Sequence, residues 1–252
     1  MTTILRQNIN RCAVLSLSRP ESLNCITSPM LDELESHLDL VASDSSRALV
    51  ITGQGRAFCA GSDLKERHGD LPQRMRQVHR LVERLVNFPK ISVAAINGLA
   101  LGGGLELAMA CTFRVAAPAV RLGLPEIKLG VMPVYGGTQL LPRLVGESRA
   151  LQMMLGGEPI SAEQALEYGL IDQLEASPDT LLEAAIERAI SCGQYSLGAQ
   201  QAIRRAIREG MRSPLGEGLQ LERTLGAQVA ESDDAREGVL AFLEKRAPVF
   251  KE

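Results

Sequence analysis

The chain has 252 residues, 45% of them hydrophobic and 23% charged, and a net charge of −3. These are the values of one sizeable globular domain, or of a domain with an appendage. They leave no overall basic field, and with no Trp and 3% aromatic residues there are no stacking platforms, which argues against nucleic acid as the main partner.

Residues 12–17 (CAVLSL) read as a strand ended by Ser18-Arg19-Pro20, with Asn24 in the loop beyond. Ser28 suits a helix N-cap and Pro29 the first helical position, and Leu31, Leu34, Leu38 and Val41 give that helix an apolar stripe. Residues 47–52 (RALVIT) are a short apolar strand. Residues 53–66 then read as a strand, a glycine turn and a second helix start at Asp63. The small Ala60, Gly61 and Ser62 permit close approach to backbone N–H groups, although an ordinary surface turn fits the same residues. Residues 66–80 are charged and broken by Gly69 and Pro72, and read as a mobile connection. They lead to a helix with Val78, Leu81, Val82, Leu85 and Val86 toward the core.

Residues 91–96 form an apolar strand that leads to Gly102-Gly103-Gly104 and then to a helix bearing one charge, Glu106. Consecutive glycines are costly inside a helix but suit a strand-to-helix junction, where a ligand must approach backbone N–H groups. A helix starting there aims its unpaired N–H groups and positive dipole end at one spot. Taken alone, the stretch fits equally well a tight packing turn with an exposed glutamate. Residues 112–116 are a further strand, and Glu126 sits between Pro125 and Gly130 on a loop or short helical turn. A glycine-containing turn at 132–138 opens a helix through about Val145, and residues 149–155 are helical. Ser161 caps a helix with Ala165 and Leu166 inward, and residues 169–172 lead to a short strand.

From residue 181 the pattern is helical throughout: 181–192, 197–210, 214–231 and 234–245. Strands alternating with helices before that point predict an α/β class with parallel pairing. The composition shift at 191–195 divides a core, residues 1–192, from an all-helical region, residues 193–252. The apolar Leu215, Leu219, Leu225, Val239, Leu240 and Leu243 of that region are expected to pack on neighbouring subunits.

Cys12, Cys25, Cys59, Cys111 and Cys192 are scattered, odd in number and without CxxC spacing, as expected of reduced thiols in the cytoplasm. Cys59 reads as a small core residue rather than a nucleophile. His37, His68 and His79 lack metal-ligand spacing, so no metal is expected. Residues 1–20 lack the basic start and long apolar run of a secretory leader, and no apolar stretch reaches the length of a membrane span.

Glu106 and Glu126 each stand beside a glycine-rich turn in apolar sequence. Desolvation raises a carboxyl pKa, and two neighbouring carboxylates split their pKa values further. Such a pair can hold one water and serve as base and acid together.

Five stretches in this order, GRAFCAGSDLKE (55–66), INGLALGGGLELAMAC (96–111), LGLPEIKLGVMP (122–133), GGTQ (136–139) and EGVLAFLEKR (237–246), resemble the crotonase superfamily, and within it the enoyl-CoA hydratase/isomerase family. The resemblance covers essentially the whole chain. It implies a crotonase-like spiral of ββα units with a C-terminal helical oligomerisation region, and trimers or paired trimers. It implies an acyl-CoA substrate with no separate cofactor, whose thioester oxygen is held by the backbone N–H groups of Ser62 and Gly103. Ser62 stands where relatives usually have Ala, a swap that a backbone donor should tolerate. Glu106 is then expected to activate water for attack at C3, and Glu126 to deliver a proton to C2. Coenzyme A is expected along Ala60, Ser62, Asp63 and Leu64 and near residues 21–24; by analogy Phe242, Lys245 or Phe250 of a neighbouring subunit would add contacts, although Lys245 reads sooner as a solvated helix-end charge. Retention of both glutamates favours hydration of a 2-trans-enoyl-CoA. Double-bond isomerisation is the alternative, as is a hydratase for a branched substrate such as methylglutaconyl-CoA, which Asp63-Leu64-Lys65-Glu66-Arg67 resembles. Some such hydratases bind RNA, but the basic helix for that is missing, and a non-catalytic binder would have little reason to keep both glutamates. Where relatives read Pro-Gly-Ala-Gly-Gly-Thr, this chain has Pro133-Val134-Tyr135-Gly136-Gly137-Thr138. The bulkier pair is expected to narrow the pocket toward shorter or polar acyl groups, unless it repacks locally without effect.

Overall fold

The structure, a computed structural model, describes residues 2–66 and 71–250. The first two strands, β1 (Ile4–Ile9) and β2 (Cys12–Leu17), form an antiparallel hairpin. Its two turn residues, Asn10 and Arg11, have φ of 49° and 64°, the turn geometry that matches strand twist. α1 (Ser28–Ser43) follows, with Met30, Leu31, Leu34, Leu38 and Val41 buried. Its N-cap is Thr27, which accepts a hydrogen bond from the Met30 N–H, so Ser28 lies one position inside the helix rather than at the cap.

From β3 (Ala48–Gly53) onward the chain repeats one device. A long buried strand is followed after a short turn by a strand of only three residues, and the two enter different sheets. β3 is followed by β4 (Ala57–Cys59), then α2 (Leu71–Val86). β5 (Ile91–Ile96) is followed by β6 (Leu99–Leu101), then α3 (Gly103–Ala110). β7 (Phe113–Ala116) is followed by β8 (Arg121–Gly123), then a 3₁₀ turn, Pro125–Leu129. After α4 (Gly137–Val145) and α5 (Glu147–Gly156), β9 (Ile160–Ser161) closes the small sheet. α6 (Ala162–Glu167) and β10 (Gln173–Leu174) follow. The large sheet has the order β1-β2-β3-β5-β7-β10 and the small one β4-β6-β8-β9. All pairings are parallel except β1 with β2 and β8 with β9. Every residue of β5 is buried, as an interior parallel strand requires.

The spiral of ββα units is therefore present, and its second strands are the part that the sequence pattern does not reveal. Other local differences have clear causes. Asp63 opens no helix: its Oδ1 accepts from the Lys65 N–H two residues on, and its Oδ2 is held by Arg19, which makes a turn. Residues 71–80, read as mobile, are the first turns of α2, and Pro72 sits where an N–H has no helical partner anyway. Residues 67–70, including His68, lie outside the described residues. Leu166 is exposed, because α6 is too short to bury both it and Ala165.

The chain divides into two compact units, residues 1–191 and 192–252, with the boundary near the end of α7 (Leu181–Gly193). The second unit contains α8 (Leu197–Gly210), α9 (Leu215–Ala230) and α10 (Asp233–Glu244). Ser196 and Ser232 cap α8 and α10 by accepting from the N–H three residues on. No helix among the described residues is long and apolar enough to cross a membrane.

Candidate active site

The site grows from the ends of the short strands. β4 ends at Cys59, and Gly61 follows with φ of 102°. A Cβ on Gly61 would lie 3.1 Å from the Leu101 carbonyl and 3.5 Å from the Gly103 nitrogen, so the Gly61-Ser62 turn lies directly against the start of α3. At that start Gly102 has φ of 50° and ψ of −129°, a region essentially closed to residues with a Cβ. Gly104 packs harder still: its Cβ would fall 2.1 Å from the Cys59 carbonyl. The glycine run is thus both a packing device and a way to bring two backbones together. Among the described residues, neither the Ser62 N–H nor the Gly103 N–H has a protein acceptor.

Glu106, one turn into α3, is 1% exposed. Its Oε1 accepts two backbone hydrogen bonds, from the Tyr135 N–H at 2.8 Å and the Gly137 N–H at 2.7 Å. Burial pushes its pKa up to about 8; the Gly137 and Tyr135 amides pull down against this, and the charge of Glu126 adds to the rise. Glu126, on the 3₁₀ turn after β8, is half-buried, and desolvation raises its pKa too. Its Oε1 faces Gly102, 2.9 Å from where a Cβ would stand there, and its Oε2 is buried with no partner among the described residues. The charge of Glu126 therefore acts on Glu106, and both adjoin the α3 start beside Ser62 and Gly103.

Tyr135 is 6% exposed, and its ring carbons lie 2.8 and 2.9 Å from where a Gly103 Cβ would be. Its hydroxyl meets Ser62 Oγ at 2.7 Å and accepts from Arg74 Nη2 at 3.0 Å. Burial raises its pKa. Arg74 also donates to the Ile26 carbonyl, Ser28 Oγ and Glu66 Oε2. Arg74 was not among the residues expected here. It occupies a position of the buried stripe Arg74, Val78, Leu81 and Leu85 of α2, and a charge on a core stripe is the signal that could have marked it.

The segment expected to meet coenzyme A does converge on the same turn. Leu23 and Asn24 are left-handed, with φ of 51° and 56°. The Leu23 carbonyl accepts from the Ala60 N–H, the Ile26 N–H donates to the Gly61 carbonyl, and the Asp63 N–H donates to the Ile26 carbonyl. Leu64 is 76% exposed, whereas Asn24 is fully buried as a brace, bonded to the Gln54 and Ala57 carbonyls. Arg19 braces the turn through the Cys25 carbonyl and Asp63. Phe242, Lys245 and Phe250 lie in the 192–252 unit, Phe242 82% exposed. Cys59 is fully buried and its pKa is pushed up to about 12 by burial, which leaves an inert thiol. Among the described residues no group of three or more His, Cys, Asp or Glu is placed to hold a metal ion.

Two sheets fed by ββα units, with a paired-amide turn and one buried and one half-buried glutamate at the strand ends, define a crotonase-type protein. Residues 7–252 match the family described as enoyl-CoA hydratase/isomerase, and the chain belongs to that family. A probable enoyl-CoA hydratase of Bacillus subtilis is 40% identical over 245 residues, 95% of each chain. A 2,3-dehydroadipyl-CoA hydratase of Escherichia coli is 41% identical over 254 residues, covering 100% of this chain and 99% of its own. Among solved structures, an enoyl-CoA hydratase from Bacillus anthracis superposes with a TM-score of 0.93 at 38% identity, covering 99% of both chains.

Proposed function

We propose that this protein hydrates a 2-trans-enoyl-CoA to the 3-hydroxyacyl-CoA. The observation that carries the reading is the pair of desolvated carboxylates beside two unpaired amides. The Ser62 and Gly103 N–H groups would hold the thioester oxygen as negative charge develops on it, and losing one such donor typically costs about 3–4 kcal/mol. Water held between Glu106 and Glu126 adds its oxygen to C3 as Glu106 takes its proton, and Glu126 delivers a proton to C2. The sum is addition of one water. Burial raises both carboxyls, so the pair retains one proton, carried on Glu126 in the reactive form and left on Glu106 after turnover. A shared water can pass that proton across, so the titration belongs to the pair rather than to either residue. Acyl-CoA enters as the substrate, and the reading calls for no further cofactor.

Coenzyme A is assigned to the backbone around Ala60, Ser62, Asp63 and Leu64. The same scaffold supports a second reading, double-bond migration, in which one carboxylate moves a proton between C2 and C4 without water. The name of the E. coli relative, a 2,3-dehydroadipyl-CoA hydratase, suggests a carboxylated enoyl-CoA as a further candidate. The protein is assigned to the cytoplasm on its five free thiols. It is assigned to homo-oligomers, trimers or paired trimers, on the exposed Leu215, Leu219, Val239, Leu240 and Leu243 of its second unit.

The test is loss of the conjugated enoyl absorbance of crotonyl-CoA, with product identification. Glu106→Gln and Glu126→Gln should each lower kcat by about 10²–10⁴. An isomerised product without hydration selects the second reading, and no turnover across several chain lengths overturns both.

A further inference from the structure

The loop that holds Glu106 is itself held from α2. Tyr135 and Gly137 supply both amides on Glu106 Oε1, and their loop starts a helix whose N-cap, Gly136, has φ of 100°. Among the described residues, 131–136 of that loop belong to no helix or strand. Two side chains of α2 grip it instead: Arg74 Nη2 donates to the Tyr135 hydroxyl, and His79 Nε2 meets the Val134 carbonyl at 2.8 Å. Arg74 is 7% exposed, and all four of its Nη hydrogens are spent, on Ser28 Oγ, Glu66 Oε2, the Ile26 carbonyl and the Tyr135 hydroxyl. A buried guanidinium so fully committed has one geometry. The Tyr135 ring lies flush against Gly103, and its hydroxyl also bonds Ser62 Oγ. One side chain thus touches the turn carrying the first amide and the glycine carrying the second, while its own backbone N–H holds the carboxylate.

We propose that Arg74 is a positioning residue for Glu106, acting through Tyr135, and that the Arg74–Tyr135–Ser62 tie fixes the carboxylate and the paired amides relative to one another. This rests on the hydration reading for its kinetic consequence, but not for its structural one. Without the guanidinium, the Tyr135 hydroxyl loses its charged donor and the loop gains freedom, so the Tyr135 and Gly137 amides sit less well on Glu106 Oε1. The groups facing Glu106 are Glu126 from the 3₁₀ turn and the Tyr135 and Gly137 amides from the loop, with the Tyr135 hydroxyl beyond. Weakening the amides leaves burial and the Glu126 charge unopposed, and the Glu106 carboxyl then holds its proton to higher pH.

The experiment compares wild type, Arg74→Met, Tyr135→Phe and the double variant. Arg74→Met should lower kcat for crotonyl-CoA by about tenfold to a hundredfold, with KM changing much less, since a displacement of 1 Å can cost about a hundredfold and a smaller one less. The limb of its pH profile that reports Glu106 should move to higher pH. Tyr135→Phe should act in the same direction, and the double variant should be no worse than the poorer single, because both cut one tie. Independently of turnover, ¹³C-carboxyl NMR of Glu106, assigned with Glu106→Gln, should titrate at higher pH in Arg74→Met. If wild type hydrates nothing, the function reading fails while the NMR titration still decides the tie. An unmoved Glu106 titration, or single-variant effects on kcat that multiply in the double variant, overturns the proposal.

Discussion

Replacing Glu106 by Gln should stabilise the protein, and should do so increasingly as pH rises. The carboxyl is 1% exposed and its pKa is raised from 4.5 to about 8. A raised folded pKa means that the folded state binds the proton more tightly than the unfolded chain does. The associated stability is complete below the unfolded value of 4.5 and is lost as pH climbs through about 8. At about 1.4 kcal/mol for each pH unit, the loss is on the order of 3 kcal/mol at neutrality and on the order of 5 kcal/mol once both states are ionised. Glutamine is the neutral isostere. Its Oε1 can still accept from the Tyr135 and Gly137 amides, and it carries no charge to desolvate or to repel Glu126. Urea unfolding of wild type and Glu106→Gln, at one protein concentration and at about pH 5, 7 and 9, gives the comparison. The two should nearly coincide at the acid end and diverge in favour of Gln with rising pH. A gap that stays constant, or one that favours Glu at high pH, would refute the desolvation argument and with it the claim that the site holds a strained carboxylate.

Three further outcomes follow from the same contacts. Gly104→Ala places a methyl 2.1 Å from the Cys59 carbonyl, backbone against backbone, and should cost about 3 kcal/mol or prevent folding, read from thermal melts or soluble yield. Lys90, 3% exposed, donates to the Val41 and Asp44 carbonyls at 2.6 and 2.7 Å, and Lys90→Met should cost about 2–4 kcal/mol in urea unfolding by leaving those acceptors buried without it. Tyr135 fills space beside Gly103, so wild type should favour four-carbon over ten-carbon enoyl-CoA in kcat/KM and Tyr135→Ala should narrow the gap; equal wild-type values would remove the argument.

The large sheet was readable because its strands are long enough to carry a pattern. β2, β3 and β5 have six residues each, apolar and bounded by turn residues. β4, β6 and β8 have three each, below any periodicity, and they pair with partners more than twenty residues away. Their pairing is set by the spiral, which the motif resemblance implied and the local pattern could not. β1 escaped for another reason: as an edge strand it alternates weakly, with Arg6, Gln7 and Asn8 in its middle.

The site divides along the same line between local and non-local causes. The φ of Gly102 and the close approach at Gly104 are backbone constraints that glycine announces in the sequence. Glu106 and Glu126 were conspicuous as single charges in apolar surroundings. Arg74 and Tyr135 were not, because their role exists only once α2 and the loop before α4 meet across a sequence separation of 61 residues. Even so, the bulk of Tyr135 is legible in the sequence, and bulk is half of what it supplies. Its backbone N–H reaches Glu106 whatever the side chain, while its hydroxyl decides how firmly that N–H is held. A loop with Ala at this position could still hold the glutamate through two amides but would need some other tether. Tyr135 and Arg74 therefore belong together: a buried guanidinium on the core stripe of α2 is tolerable only where acceptors such as the Tyr135 hydroxyl, Ser28 Oγ, Glu66 and the Ile26 carbonyl meet it.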